Sequence, residues 1–401
     1  MNTRNCFIIF FLLTISTPDT IEAQDPIKTY SLTKLPKLTT TKLSDLKFVD
    51  IEYIPLETNK QSLMSGIDYI FFHEYKMNKI IPGDGYYLIK NGNKVLKFKS
   101  DGSFMGTIGT VGRGPDELDH IDDIFIDNKS QNIFLVSSRQ KRICQYSPLG
   151  DLIRVLSIPF YIYECIFIDN RILCYSGNNS GINKNSFILI DTLGHIVKNF
   201  PNKYQFKSFK GIVVYTHENL FYKFNSRLFK KEIYSDTVYV FENSKFKPHM
   251  VIAVGNKLVT PKVRSDYDSY KIYANYIQPI NLFEFGNYIY YAFIYKFVIQ
   301  GEVIIYGYIS SKEDNYQALF NLGEGIENDL DGGLNIIPIT TKDNHTIISL
   351  IDVLTLKKHI ATEKFRKSNP KFPEKKKELE KLANSLKDTD NPILMMIRQK
   401  K

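Results

Sequence analysis

Between residues 46 and 360 the chain alternates short apolar and aromatic runs with clusters of Gly, Asn, Asp and Ser, and no stretch of that span carries a convincing 3.6-residue period. Such runs read as β-strands, and many short strands with regular turns imply a sandwich, a barrel or a propeller. Internal repetition separates these. One unit reads GYYLIKNGNKVLKFKSDGSFMGTIG from Gly85 and a second NIFLVSSRQKRICQYSPLGDLIRVLSI from Asn132. Each has an apolar strand, a polar turn, an alternating strand ending in an aromatic, a turn ending in Gly, and another strand. A third begins at Arg171. The turn glycines Gly102, Gly150 and Gly194 are 48 and 44 residues apart, the length of a four-stranded propeller blade. Weaker copies at NLFYKFN from Asn219, NYIYYAF from Asn287 and HTIISLI from His345 bring the number to six.

The pattern therefore predicts an all-β protein, a six-bladed β-propeller of four-stranded antiparallel blades. IEYIPLE, residues 51–57, and NPILMMIRQ, residues 391–399, read as strands from opposite ends of the chain that pair within one blade and clasp the ring. Between the last repeat and that closing strand lies a helix expected over 373–387. Pro373 suits a first helical position, and Leu379, Leu382, Ala383 and Leu386 form an apolar stripe that packs on the propeller. MNTRNCFIIFFLLTISTPDTIEA has a cation before a short apolar run and then a polar stretch, which predicts a signal peptide over residues 1–23. The expected organisation is that leader, an extension over 24–45 and a single propeller domain over 46–401. The expected location is periplasmic or extracellular. Cys6 precedes the apolar run, so no lipid anchor is predicted, and the mature chain has no expected transmembrane segment.

Composition changes this picture in three places. The chain has 26 Tyr and 28 Phe but no Trp; the aromatics suit pleated half-buried surfaces, and the missing indole removes the usual platform for sugar stacking, although Tyr can substitute. The formal charge of +9 comes from lysines spread along the chain and concentrated in the last forty residues. With no zinc-finger or helix-turn-helix spacing, this reads as a solvated surface and no nucleic-acid partner is expected. Beyond the leader there are three cysteines, Cys144, Cys165 and Cys174, an odd number that argues against a disulfide framework. Cys165 and Cys174 could face each other around a turn at Asp169 and Asn170, and buried free thiols are the preferred reading.

The stretch GTVGRGPDELDHIDDIFID, from Gly109, concentrates the candidate chemistry. It lacks the Gly-Lys-Ser/Thr of a phosphate loop, and a strand follows where a dinucleotide fingerprint needs a helix. Its carboxylates lack the alternation of an EF-hand. A calcium ion held by one ligand from each of several blades stays open, and no other cofactor is expected. The histidines show no metal spacing, and no Gly-x-Ser-x-Gly elbow is present. A second Gly-acidic stretch, EGIENDLDGGLNIIP, places Asp329 and Asp331 before a Gly pair.

GRGPDELDHIDDIFIDNKSQNIFLVSSRQKRICQYSPLG resembles the NHL-type repeat: Gly112, Gly114, Pro115 and Glu117 match its turn, Asp127 its strand end, Arg142-Ile143 its Arg-Ile pair and Tyr146 its aromatic, with Asp116 and Leu118 departing from the pattern. With IEYIPLET, NDLDGGLNIIPI and the closing NPILMMIRQKK, the mature chain resembles the exported six-bladed β-propeller family abundant in Bacteroidales. The resemblance implies a propeller fold and a cell-envelope or exported setting, with no established catalytic activity. The expected function is non-catalytic binding of an envelope protein, peptide or glycan at one face of the ring. Arg113, Asp116, Glu117, His120 and Asp122 of the first loop and Asp329 and Asp331 of the second are the candidate ligand-binding residues. The alternative is a propeller hydrolase or lyase with a central metal ion.

Overall fold

A computed structural model describes residues 27–65, 79–207, 217–296 and 305–400; the signal peptide expected at 1–23 lies outside the described residues. Six antiparallel sheets stand in a ring. From the axis outward, blade 1 is Lys79–Pro82, Tyr86–Asn91, Lys94–Lys99 and Phe104–Thr107, and blade 2 is Asp123–Ile126, Ile133–Ser137, Arg142–Tyr146 and Leu152–Ser157. Blade 3 is Glu164–Ile168, Arg171–Tyr175, Asn185–Ile190 and Ile196–Pro201, and blade 4 is Asn219–Phe224, Arg227–Glu232, Thr237–Glu242 and Lys245–Ala253. Blade 5 is Gln278–Phe285, Tyr288–Ile294, Ile305–Ser311 and Gln317–Asn321. Blade 6 takes Thr340–Asp343, Thr346–Ile351 and Ile393–Gln399 from the end of the chain and Phe48–Pro55 from its beginning.

The repeat glycines explain the regular turns. Gly102, Gly150 and Gly194 sit at the hairpin between third and outer strands with φ of 91°, 98° and 91°, the left-handed region that favours glycine. At Gly102 a side chain would also meet the Pro55 carbonyl of blade 6 at 2.1 Å. Faces of adjacent blades bury one another: Ile348, Leu394 and Met396 of blade 6 pack with Ile89, Leu96 and Phe98 of blade 1, and Phe134 and Ile143 of blade 2 with Cys174 and Ile188 of blade 3. Cys165 and Cys174 are register partners on adjacent strands, with sulfurs 3.3 Å apart and both thiols free.

Blade 4 differs from the repeat alignment by one strand. NLFYKF, read above as the equivalent of GYYLIK, is the innermost strand, and the equivalent second strand is RLFKKE. That strand looks solvent-facing in sequence, yet Lys230, Lys231 and Glu232 are all buried. Lys230 pairs with Glu232 and lies 4.4 Å from the Phe187 ring of blade 3, whereas Lys231 turns to Tyr291 of blade 5 at 5.6 Å. Aromatic faces and an internal carboxylate make these lysines tolerable between blades.

The ring is clasped twice. The closing strand lies between Thr346–Ile351 and Phe48–Pro55, with Tyr53 opposite Met395 and Ile347 opposite Ile397. The N-terminal extension adds Lys28–Ser31 as a fifth, parallel strand on the outer edge of blade 4, and Leu38 bridges Leu319 on the edge of blade 5.

Helices α1 (Pro261–Asp266), α2 (Ser269–Asn275), α3 (Val353–Ile360), α4 (Glu363–Lys367) and α5 (Pro373–Ser385) occupy two connections. Only α5 was expected from the sequence. The other four are five to eight residues long, too short for periodicity, and are started by side-chain caps at Thr260, Asp268, Asp352 and Thr362. Helix α5 buries Leu379 and Ala383 and joins the clasp electrostatically: Asp50 accepts from Arg398 at 2.7 Å and from Lys375, and Arg398 also pairs with Glu52. Burial works against the Asp50 carboxylate, but the two cations hold its pKa below the ordinary value. Because the cluster is partly exposed, Asp50→Asn is expected to cost only about 1 kcal/mol in urea denaturation. The wild-type protein should lose the same increment as pH falls below about 4, and a pH-independent difference would show that charge is not the cause.

Candidate ligand-binding site at the channel mouth

Every blade has the same strand order, so all six inner strands run in one direction and their first residues gather at one end of the axis. At that end each blade offers one polar side chain to a cavity of about 180 Å³: Lys79, Asp123, Glu164, Asn219, Asn281 and Thr340. Toward the opposite face the channel lining changes to Ile81, Phe125, Ile166 and Phe283. The mouth is thus one polar end of the bore; an apolar belt lies below it, and Lys223, Lys342, Asp343 and Asn344 line the part beyond.

Hydrogen bonds between blades hold these groups. Asp123, 1% exposed, accepts from the Lys79 ammonium at 2.7 Å and the Cys165 backbone N–H at 2.9 Å, joining blades 1, 2 and 3. Burial opposes the Lys79 charge, but Asp123 raises its pKa overall. Asn219 donates to Glu164 at 3.0 Å across blades 3 and 4, and Asn281 donates to the Ile339 carbonyl at 2.8 Å, just ahead of blade 6.

One wall is deeper. Glu218, 5% exposed, accepts from the Tyr175 hydroxyl at 3.1 Å, the Tyr234 hydroxyl at 3.1 Å and the Asn178 N–H at 2.5 Å, with Arg264 Nη1 at 3.7 Å. Burial pushes its pKa up against these partners. Arg264 belongs to α1, is 1% exposed, donates to the Asn179 carbonyl at 3.0 Å and covers the Phe206 ring at 4.9 Å. The connection between blades 4 and 5 is thereby pinned over blade 3 by a charged group. Tyr163, 40% exposed, stands at the rim and lies against Gly177, where its ring would meet an added Cβ at 2.5 Å.

The loop residues singled out from the sequence are on the same face, because both loops are outer-to-inner connections between consecutive blades. Glu117 accepts from the Gly114 N–H at 2.7 Å and so shapes its own turn. Asp122 accepts from the Ser138 N–H at 2.6 Å, and His120 lies 3.8 Å from Asp122. Arg113 and Asp116 are exposed on the rim. Asp329 accepts from the Ser44 N–H at 3.1 Å and its hydroxyl at 2.5 Å, tying down the N-terminal extension. Asp331, fully buried, accepts from Asn328 at 2.7 Å and the Gly333 N–H at 2.9 Å, and burial raises its pKa. None of these seven lines the cavity; the residue that does is Asp123, one position beyond Asp122. Alternation along a strand gives neighbours opposite directions, and the run DHIDDIF does not say which Asp begins the strand. Among the described residues no three His, Cys, Asp or Glu side chains are grouped to hold a metal ion.

Residues 29–398 match the family described as Domain of unknown function (DUF4934). The chain belongs to this family. Among curated proteins none matches the sequence. A structure of a protein assigned as exported in Bacteroides fragilis NCTC 9343 superposes on this DUF4934 chain with a TM-score of 0.65 at 16% identity, covering 94% of this chain and all of the other. That likeness is one of fold. A duf4221 family member from Bacteroides vulgatus aligns over 68% of this chain and 86% of its own at 13% identity, with a TM-score of 0.49. Virginiamycin B lyase from Staphylococcus aureus aligns over 75% and 94% at 12% identity, with a TM-score of 0.39. The family agrees with the resemblance carried by the loop and terminal motifs.

Proposed function

We propose that this DUF4934 propeller is a non-catalytic binding protein that takes up part of a protein, peptide or glycan at the polar mouth of its channel. The observation that carries this reading is the convergence of one polar side chain from the inner strand of every blade on a single cavity. Such a site costs stability to assemble, and rigid rings present binding groups through the loops and strand ends of one face. The surrounding rim, with Arg113 and Asp116 exposed, extends the contact to a larger partner. An exported setting is supported by the leader-like start of the sequence and by the exported assignment of the Bacteroides fragilis neighbour.

The test is thermal stabilisation across a panel of oligosaccharides and short peptides, repeated with Tyr163→Ala, Asn281→Ala and a rim variant, Asp116→Lys. A ligand at a hundred times its Kd stabilises the folded state by about 2.7 kcal/mol. That gain is expected to vanish in Tyr163→Ala and Asn281→Ala and to shrink in Asp116→Lys for the larger ligands only. A ligand whose stabilisation survives both mouth substitutions would place binding elsewhere and overturn the proposal.

A further inference from the structure

Three side-chain amides border the mouth, and each has committed its NH₂ group to the protein. Asn219 donates to Glu164 at 3.0 Å, Asn281 to the Ile339 carbonyl at 2.8 Å and Asn179 to the Tyr163 hydroxyl at 3.3 Å. Their carbonyl oxygens are left over. Asn219 is 3% exposed, and its Oδ1 and that of Asn179 are buried with no hydrogen-bond partner among the described residues. No donor among the described residues is recorded on the Asn281 oxygen either. A buried acceptor without a donor is costly, and in a native protein it marks a place where something else supplies the hydrogen bond.

The charges point the same way. Asp123, Glu164 and Glu218 line the cavity together with His217 and Lys79; Lys79 faces Asp123, and Arg264 reaches Glu218 from outside the lining. In a chain with a formal charge of +9, the mouth is a local reversal, with carboxylates outnumbering those cations. The Tyr163 ring at the rim adds an aromatic flank.

We infer that the mouth recognises a primary ammonium group, carried by an amino sugar or by the free amino end of a polypeptide. An ammonium has three donors and no acceptor, which matches a site presenting amide oxygens, carboxylate and ring. A neutral hydroxyl would match the acceptors but not the charge, and an anion would match neither. The inference rests on the mouth being the binding site, and it names the chemistry read there.

Matched probes test it by titration calorimetry on the full mature chain: glucosamine against N-acetylglucosamine and glucose, Gly-Gly against acetyl-Gly-Gly, and calcium chloride alone. At least one amine probe is expected to bind about tenfold or more tightly than its acetylated partner, and which pair shows the preference identifies the carrier. Asn219→Ala, which removes an unpartnered acceptor oxygen, should weaken that binding several-fold. Asn281→Ala, at a partly exposed position, should weaken it about tenfold without preventing folding. Acetylated or neutral probes binding as well as the amines, or calcium binding instead, with sensitivity to Asn281→Ala, would overturn the ammonium assignment and leave the mouth as the site. Amine binding indifferent to both asparagine substitutions would overturn the assignment and the mouth together. Absence of binding by every amine probe would also overturn the ammonium assignment.

Discussion

Truncation after Asp390 is expected to abolish the cooperative unfolding transition altogether. The missing strand, Ile393–Gln399, is an internal member of blade 6, bonded on one side to the C-terminal hairpin and on the other to residues 48–55. Five of its side chains, Ile393, Leu394, Met395, Met396 and Ile397, have no exposed surface. At about 1.5–3 kcal/mol each, their burial is on the scale of the whole stability of a typical domain. The loss also frees the N-terminal strand, so the defect reaches both ends. Circular dichroism during heating reads the result: a sharp transition in the truncated chain would show that the ring does not need this clasp. Asn391→Ala is the milder companion. Its side chain accepts from the Met64 N–H at 2.9 Å and donates to the carbonyls of Glu57 at 2.8 Å and Ser62 at 3.0 Å. Orphaning those groups should cost about 2–4 kcal/mol while a cooperative transition persists.

The second large effect is a rise in stability with pH on the alkaline side. Lys231 is buried between blades 4 and 5; desolvation depresses its ammonium pKa to about 8, only partly offset by Asp236 and Glu232. Below about pH 8 the charge is present in both folded and unfolded chains, and the full cost of burying it is felt. Between about 8 and 10.5 only the unfolded chain stays protonated, so unfolding takes up protons and stability climbs with pH. From pH 8 to 9.5 the climb is about 2 kcal/mol at 1.36 kcal/mol per unit. Lys223, Lys230 and Lys312, also depressed by burial, add in the same direction. Above about pH 10 the buried tyrosines oppose it, because Tyr290 and Tyr291 ionise only in the unfolded chain. Urea denaturation at pH 7.5, 8.5 and 9.5 should show this slope, flattened in Lys231→Met. An equal slope in that variant would mean that the buried ammonium is not its source.

Lys231 also shows where sequence reading succeeds and fails. Turn glycines at 102, 150 and 194 revealed the blade repeat because positive φ is a local demand that one residue type meets cheaply. The terminal strands were legible because apolar runs at both chain ends had no other partner. Blade 4 was misaligned because RLFKKE hides its cations between two sheets, and hydropathy prices a lysine as surface unless it is known what stacks against it. Helices α1 to α4 were missed for want of length. The two acidic loops were legible as turns, but the sequence left open whether they share a rim and which face of the ring binds. Asp123, Glu164, Asn219 and Asn281 were not legible as a site, since they come from four blades, the first three at strand starts and Asn281 three residues into its strand, and they meet only once the ring is closed.

The strap formed by residues 28–38 has a bearing on the order of events during synthesis. Its partners are Met250 to Ala253 and Leu319, and the strand that follows it, residues 48–55, waits for residues 393–399. At about 5–20 residues per second, the first strands made wait on the order of tens of seconds for the last. Blades 1 to 3 can be completed from contiguous chain in the meantime, and the strap can dock once residues 250–253 and 319 are made, but residues 48–55 still lack their partner strand. The strand at residues 48–55 therefore stays without its native partner from its own synthesis until that of residues 393–399.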